Sequence, residues 1–333
     1  EGEGEGEGEG EGEGEGEGEG EGEPGLLGCG LTLTALDFGD FDGDGTPERN
    51  VRLLVGTVER EAAIRFPAGY VNDAPHPLVV ELHGDQGKTD PLPAISRTEG
   101  IFGANEYDAR AVVIALRGAN IMAPGVCTTA NCGDFDEFAS WNSLSPPDTN
   151  NDMLAVRAFE SYVNRRACVD FDKRFAVGFS GGAFLVHSLR CRGEPFRAFA
   201  AFEGGLEGQP AGTEFLRSTT GQPLSLDLAS CTSTPAPMLV VHGSADGTVA
   251  PRVGEFAARH WAGENGCDPS LLTRAPSAFD PACRRFSSTT SGATNPARCA
   301  ANPVTLCTPG GVGHEVWSPQ GSTVLRAFFA TMF

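Results

Sequence analysis

The chain has 333 residues and a formal net charge of −21, with 45 acidic side chains against 24 basic ones. That balance leaves no basic stripe for nucleic acid or anionic lipid. No run approaches the roughly 20 apolar residues of a membrane-spanning helix.

Residues Glu1 to Glu23 alternate Glu and Gly without a break. Such a segment has nothing apolar to bury and its charges repel, so residues 1–24 read as a disordered, extended spacer. Its 12 glutamates carry more than half of the excess charge and leave about −9 for the rest. The sequence does not begin with Met and shows no signal peptide, and is expected to be a mature or trimmed product.

Residues 25–50 form an acidic lead-in. Asp40, Asp42 and Asp44 alternate and are followed by Gly45, like the first half of a calcium loop. The acid expected at the twelfth position falls at Val51, so the full loop pattern fails, and a solvated acidic turn is the simpler reading. A structural calcium ion is the one cofactor these residues suggest.

Residues 51–333 suit one large domain. "NVRLLVG" and "EAAIRF" predict a leading pair of strands. "PLVVELHG", "RAVVIALRG", "RFAVGFSGG", "FAAFEGG" and "PMLVVHGSAD" are short, nearly continuous apolar runs ending in Gly or polar residues, the pattern of strands buried on both faces of a parallel sheet. Between them "DMLAVRAFESYVNRR" puts Met153, Val156, Phe159 and Val163 on one helical face. "VGEFAARHWA" and "STVLRAFFATMF" are further helix candidates. Strands alternating with helices predict an α/β fold with a mostly parallel sheet and right-handed crossovers. Residues 118–150 and 264–303, rich in small, polar and Pro residues, are expected to be long loops.

Ten cysteines lie beyond the spacer, an even number without a C-x-x-C pair. Disulfides are therefore favoured over zinc, and with them a secreted or periplasmic location. Cys127 with Cys132, and Cys168 with Cys191 around the Ser180 unit, are the simplest pairings.

"GFSGG", Gly178 to Gly182, fits a G-x-S-x-G turn between a strand and a helix, where a serine is exposed as a nucleophile. A serine needs a base, and the base needs an orienting carboxylate. With this turn the chain order is Ser, then acid, then His. Asp246 stands at the end of the "PMLVVHG" strand, and His314 lies in the glycine-rich "PGGVGHEVW" before the last helix. His187 falls inside a helix, His242 ends a strand, and His260 lies on an amphipathic helix, all positions typical of structural histidines. Two backbone N–H groups for an oxyanion are assigned to Gly181 and to Asp85 after "VVELHG", with Gln86 the alternative to Asp85. The Asp85 side chain is expected to turn away from the developing charge. Trp141, Phe179 and Trp317 are candidates for an aromatic cleft.

"VVELHG", "VDFDKRFAVGFSGGAFLVHSLRC", "PMLVVHGSADGTV", "NGC" and "GGVGHEVW" together resemble the secreted polyhydroxybutyrate-depolymerase and feruloyl-esterase group of α/β-hydrolases, over roughly residues 50 to 331. The resemblance implies Ser180 as nucleophile, Asp246 as acid and His314 as base, and it supports a Cys168–Cys191 bridge. It implies a serine esterase without an organic cofactor, and a monomer is expected. Its substrate would be a feruloyl-type ester or a polyester, either polyhydroxyalkanoate or polyethylene terephthalate, polymeric or bound in a cell wall. A non-catalytic surface binding protein on a hydrolase scaffold is the alternative of another class.

Overall fold

The computed structural model describes residues 27–31, 49–67, 70–85, 111–120, 139–143, 148–206, 231–276, 278–330 and 332. The Glu-Gly spacer, the acidic stretch with Asp40, Asp42 and Asp44, Gln86, and the cysteines Cys127 and Cys132 lie outside these residues.

In chain order the strands are β1 (Arg49–Val55), β2 (Val58–Arg65), β3 (His76–Leu82), β4 (Val112–Leu116), β5 (Ala119–Asn120), β6 (Ala139–Ser140), β7 (Val169–Phe179), β8 (Ala198–Phe202), β9 (Met238–Val241), β10 (Asp268–Arg274), β11 (Cys283–Ser287) and β12 (Val304–Cys307). The helices are α1 (Asn151–Asn164), α2 (Gly181–Cys191), α3 (Pro251–Glu264), α4 (Pro296–Ala301) and α5 (Gln320–Phe329). Ten strands form one sheet in the order β1-β2-β4-β3-β7-β8-β9-β12-β11-β10, and β5 pairs with β6 apart from it. The six central strands, β4 to β12 in that order, are parallel. The flanking pairs are antiparallel.

Strand periodicity divides the core in two. Leu78, Val80 and Leu82 of β3 pack with Met153, Val156 and Phe159 of α1, Leu185 of α2 and Trp261 of α3. Val79, on the opposite face, joins Val177, Leu239 and the α5 residues Val324, Leu325 and Phe328. The apolar face read for α1 is the buried face. The helix is capped by Asn150, whose side chain accepts from the N–H groups of Asp152 and Met153.

Two expectations are corrected. Residues 264–303 are not one long loop: they hold β10, β11 and α4. Only one residue of β10, Asp268, is buried, so this edge strand lacks the apolar run that marks a central strand. The Cys168–Cys191 bridge is also wrong. Cys168 pairs with Cys29 and Cys191 with Cys231, while Cys267 pairs with Cys299 and Cys283 with Cys307. The reason is length. At strand rise the 11 residues of β7 extend about 36 Å, whereas the 11 residues of α2 return only about 16 Å. The helix therefore ends well short of the start of the strand. Cys168 instead meets the segment at residues 27–31, which Asn72 also holds through hydrogen bonds from its side chain to the Gly28 and Leu31 carbonyls.

The turn from β7 to α2 is held close to the end of β3. A Cβ on Gly182 would collide with the Leu82 and His83 backbone carbonyls, and one on Gly178 with the Gly182 backbone. Backbone cannot swing aside as a side-chain tip can. Gly182→Ala is therefore expected to destabilise the domain by roughly 3 kcal/mol or more, read by urea unfolding; a change below about 1 kcal/mol would contradict the contact. Peptide mapping of the unreduced protein is expected to return Cys29–Cys168 and Cys191–Cys231 linked peptides. A Cys168–Cys191 peptide would overturn the pairing.

Candidate functional site

The polar groups of the site stand where the central strands end. Ser180 follows β7 with φ 51° and ψ −119°, a conformation that non-glycine residues rarely adopt. Its N–H donates to Phe202 O at 2.8 Å, and its carbonyl accepts from the N–H groups of Ala183 and Phe184 as the first turn of α2. The strain is held by β8 on one side and the end of β3 on the other, which leaves the Ser180 side chain half-buried at the top of the sheet.

His314 reaches Ser180 from the loop after β12. Its Nε2 lies 2.9 Å from Ser180 Oγ and its Nδ1 2.8 Å from Asp246 Oδ2. Ser180, His314 and Asp246 thus form one hydrogen-bonded chain built from loops 134 and 68 residues apart in sequence. The loops carrying Asp246 and His314 are knitted together: Ser244 N–H donates to Pro309 O at 3.0 Å, Ala245 N–H to Val312 O at 2.9 Å, and Gly311 N–H to Ser244 Oγ at 2.9 Å. Gly243 is required here because a Cβ would strike the Val312 and Gly313 carbonyls.

Asp246 is buried, 6% exposed. Burial alone would raise its carboxyl. Hydrogen bonds from His314 and from the N–H groups of Val249 (2.9 Å) and Thr248 (2.7 Å) outweigh burial and hold it below the ordinary carboxylate range. His242 is fully buried and its affinity for a proton is lowered by that burial. Its Nε2 donates to Val249 O at 2.9 Å and faces Asp246 Oδ2 at 3.2 Å. His242 thus braces the Asp246 loop, as its place at a strand end suggested. Gly254 of α3 makes room for its ring.

The end of β3 is organised by His83. Its Nδ1–H donates to Gly84 O at 2.6 Å and its Nε2 accepts from Gly118 N–H at 2.9 Å. Burial lowers this imidazole to about 4, so it stays neutral as that pattern requires. The His83 carbonyl accepts from Gly182 N–H at 3.0 Å and from Trp141 Nε1 at 2.7 Å. Gly181 begins α2, so its N–H is a first-turn amide without an intrahelical acceptor. Asp85, directly after Gly84, lies beside it, and its carboxylate rests where a Cβ on Gly181 would stand. The side chain does not turn away from the helix start as expected.

Of the three aromatic candidates, Phe179 lies beside His314. It is partly exposed, its ring lies 5.1 Å from that of His314, and it packs on Gly84. Trp141 and Trp317 are 7% and 9% exposed. The Trp141 indole is engaged with the His83 carbonyl, and Trp317 packs in the core beside α5. His187 is likewise structural, accepting from Trp261 Nε1 at 2.9 Å.

One residue of the site escaped the sequence reading. Glu203, the first residue after β8, is fully buried beside Asp246. The available signal was an acid directly after the wholly apolar run "AFAAF", at the same end of the sheet as Ser180 and Asp246.

No family model matches the chain. The "Probable feruloyl esterase C" of Aspergillus niger is 25% identical over 221 residues, 66% of either chain. That of Aspergillus oryzae is 24% identical over 244 residues, 72% of this chain and 75% of the relative. The "Feruloyl esterase C" of Emericella nidulans is 25% identical over 214 residues, 63% and 64%. The chain thus spans about two thirds to three quarters of the length of these relatives. Among solved structures, an acetyl xylan esterase from Aspergillus awamori superposes with a TM-score of 0.55 at 14% identity, over 84% of this chain and 99% of that one. Thermogutta terrifontis esterase 2 does so with a TM-score of 0.51 at 15% identity, over 87% and 94%. At such identities the structures speak for the fold, while the feruloyl esterases share recognisable sequence. The chain is thus similar in sequence to these feruloyl esterases and shares the α/β-hydrolase fold of the esterase structures.

Proposed function

We propose that this chain is a serine esterase that hydrolyses feruloyl-type carboxylic esters through an acyl-enzyme. The observation that carries the reading is the continuous hydrogen-bonded chain from Ser180 Oγ through His314 to Asp246. In the first half-reaction Ser180 Oγ attacks the ester carbonyl while His314 Nε2 takes its proton, and Asp246 stabilises the imidazolium. Negative charge on the carbonyl oxygen is held by the N–H groups of Gly181 and Asp85, with the N-terminus of α2 adding its partial positive charge. His314 then returns the proton to the leaving alcohol. In the second half-reaction a water, deprotonated by His314, attacks the acyl carbon, and His314 gives that proton to Ser180 Oγ as the acyl–Oγ bond breaks, releasing the acid and free Ser180. Every proton and bond is accounted for by these groups.

The substrate class is supported by the names of the relatives and by Phe179, an aromatic face beside His314. The four disulfides among the described residues suit an oxidising, extracellular setting. Among the described residues no helix is long and apolar enough to cross a membrane.

Methyl ferulate, a polyhydroxybutyrate film and a soluble terephthalate ester, assayed side by side, are expected to give the highest kcat/KM on the ferulate. A clear preference for the film or the terephthalate would replace the substrate class. Ser180→Ala is expected to lower kcat by about 10⁶, His314→Ala almost as much, and the double variant little further, because the three groups act as a unit. His242→Ala should act mainly on the melting temperature. Near-normal turnover in Ser180→Ala would remove the serine mechanism; a dead His242→Ala beside an active His314→Ala would reassign the base.

A further inference from the structure

Behind Asp246 lies a second carboxyl group that the reaction above does not use. Glu203 has φ 52°, in the left-handed region that non-glycine residues avoid, and its N–H donates to Val241 O at 2.9 Å. Its side chain is fully buried. Oε1 and Oε2 share one backbone donor, Gly243 N–H, at 2.8 and 3.0 Å. Oε2 lies 3.5 Å from His242 Nε2, which lies 3.2 Å from Asp246 Oδ2. One side-chain atom each from Glu203, His242 and Asp246 fall within 4.8 Å of one another, so the two carboxyl groups are neighbours in a buried site.

Two carboxylates this close in a buried site do not both ionise. Among the described residues no arginine or lysine pairs with either of them; their ion-pair partners are His242 and His314. Among the described residues a further charged group facing the pair is Glu315, which is itself acidic. One proton must therefore reside on the pair, and the donors decide where. Asp246 receives Thr248 and Val249 N–H and His314 Nδ1–H. Glu203 receives one shared N–H. A cation does not fit the same three groups, because His242 Nε2 carries the hydrogen that it gives to Val249 O.

We propose, building on the esterase reading above, that Glu203 is a positioning residue: a neutral carboxylic acid whose O–H donates to Asp246 and keeps that carboxylate ionised and aimed at His314. Burial first, and then the Asp246 charge, push Glu203 up to about 9 against the opposing Gly243 N–H. In the unfolded chain a glutamate ionises near ~4.3. Between these values the folded protein holds a proton that the unfolded chain has released, so this residue lowers stability as pH rises through the window.

The test compares wild type with Glu203→Gln, which keeps a donor toward Asp246 and cannot ionise, and with Glu203→Leu, which cannot donate. The melting temperature of Glu203→Gln minus that of wild type is expected to increase from pH 5 to pH 8; a difference independent of pH would overturn the proposal. In kinetics, wild-type kcat is expected to fall on the alkaline side with a midpoint of about 9, and Glu203→Gln to lose that limb. Glu203→Leu should lose about tenfold or more in kcat at pH 7, the scale of one hydrogen bond to a charged group, and Glu203→Gln should recover most of the loss. An unchanged alkaline limb in Glu203→Gln would overturn the positioning role. If the variants fold poorly, infrared titration of the wild-type protein decides: a protonated-carboxyl band present at pH 8 and lost as pH passes about 9 supports the proposal, and its absence at pH 8 overturns it. The melting and infrared measurements need no turnover and can be made in Ser180→Ala. An active Ser180→Ala would therefore remove the esterase reading while these two still judge Glu203. A dead Ser180→Ala with a pH-independent melting difference would remove the Glu203 inference alone.

Discussion

The close approach of the β7–α2 turn to the end of β3 is the contact on which the site depends. One carbonyl, that of His83, accepts from Gly182 N–H in the turn and from the Trp141 indole behind it. This contact brings the first amides of α2 beside the segment that carries Asp85. It is possible only because residues 178 and 182 lack side chains. The strained backbone of Ser180 follows from it: a chain that leaves a strand and enters a helix within one residue has no relaxed path between the two. The cost is borne by hydrogen bonds on both sides, from Ser180 N–H to Phe202 O and from Gly182 N–H to His83 O.

From that point the parallel sheet arranges the chemistry. Successive strands β3, β7, β8, β9 and β12 end on the same edge, and the residues that follow them are Asp85, Ser180, Glu203, Asp246 and His314. A parallel sheet collects groups distant in sequence into one row, because every strand delivers its C-terminal end to the same side. The disulfides lie elsewhere. Cys283–Cys307 ties β11 to β12 in register, and Cys267–Cys299 ties the turn after α3 to α4. They fasten the C-terminal edge and the strand that leads to the His314 loop, so their contribution to the site is made through the scaffold.

The central strands and the helices α1, α2, α3 and α5 were legible because their burial is written as continuous or periodic apolar residues. Ser180, Asp246 and His314 were legible for a different reason: the glycines around them report backbone crowding, and their order along the chain matches the order in which such a sheet presents its strand ends. What was lost lacks both signals. The strand β10 is an exposed edge whose identity comes from pairing with β11 rather than from its own composition. The disulfide partners depend on how far a strand outruns the helix after it, which spacing in sequence does not reveal. Trp141 and Trp317 read as cleft candidates because an aromatic residue in a polar stretch resembles a binding group. In the fold their large surfaces complete the core, and the Trp141 N–H is spent on a backbone carbonyl. Glu203 was passed over because a single acid at the end of an apolar run looks like an ordinary strand terminus.

The histidines near the site show how solvent and partners assign different tasks to one side chain. His83 and His242 are fully buried, and burial lowers the proton affinity of both. Each is a neutral ring with a fixed tautomer, bracing the loop that follows β3 or β9. In the proposed reaction the base must alternate between neutral and charged within one turnover, and a ring sealed from water and bonded to a backbone carbonyl cannot do so without giving up that arrangement. His314 differs on both counts. Its side chain is 19% exposed, and its Nδ1 faces a carboxylate that remains charged. Asp246 can stabilise the imidazolium only while it is itself ionised. It is kept so by N–H donors on one side and, in the arrangement inferred here, by the proton of Glu203 on the other. On this view the acid next to the histidine and the acid behind it have opposite protonation states for one reason: a buried site with two carboxyl groups and, among the described residues, no lysine or arginine partner supports a single negative charge, and the count of donors fixes which oxygen atoms bear it.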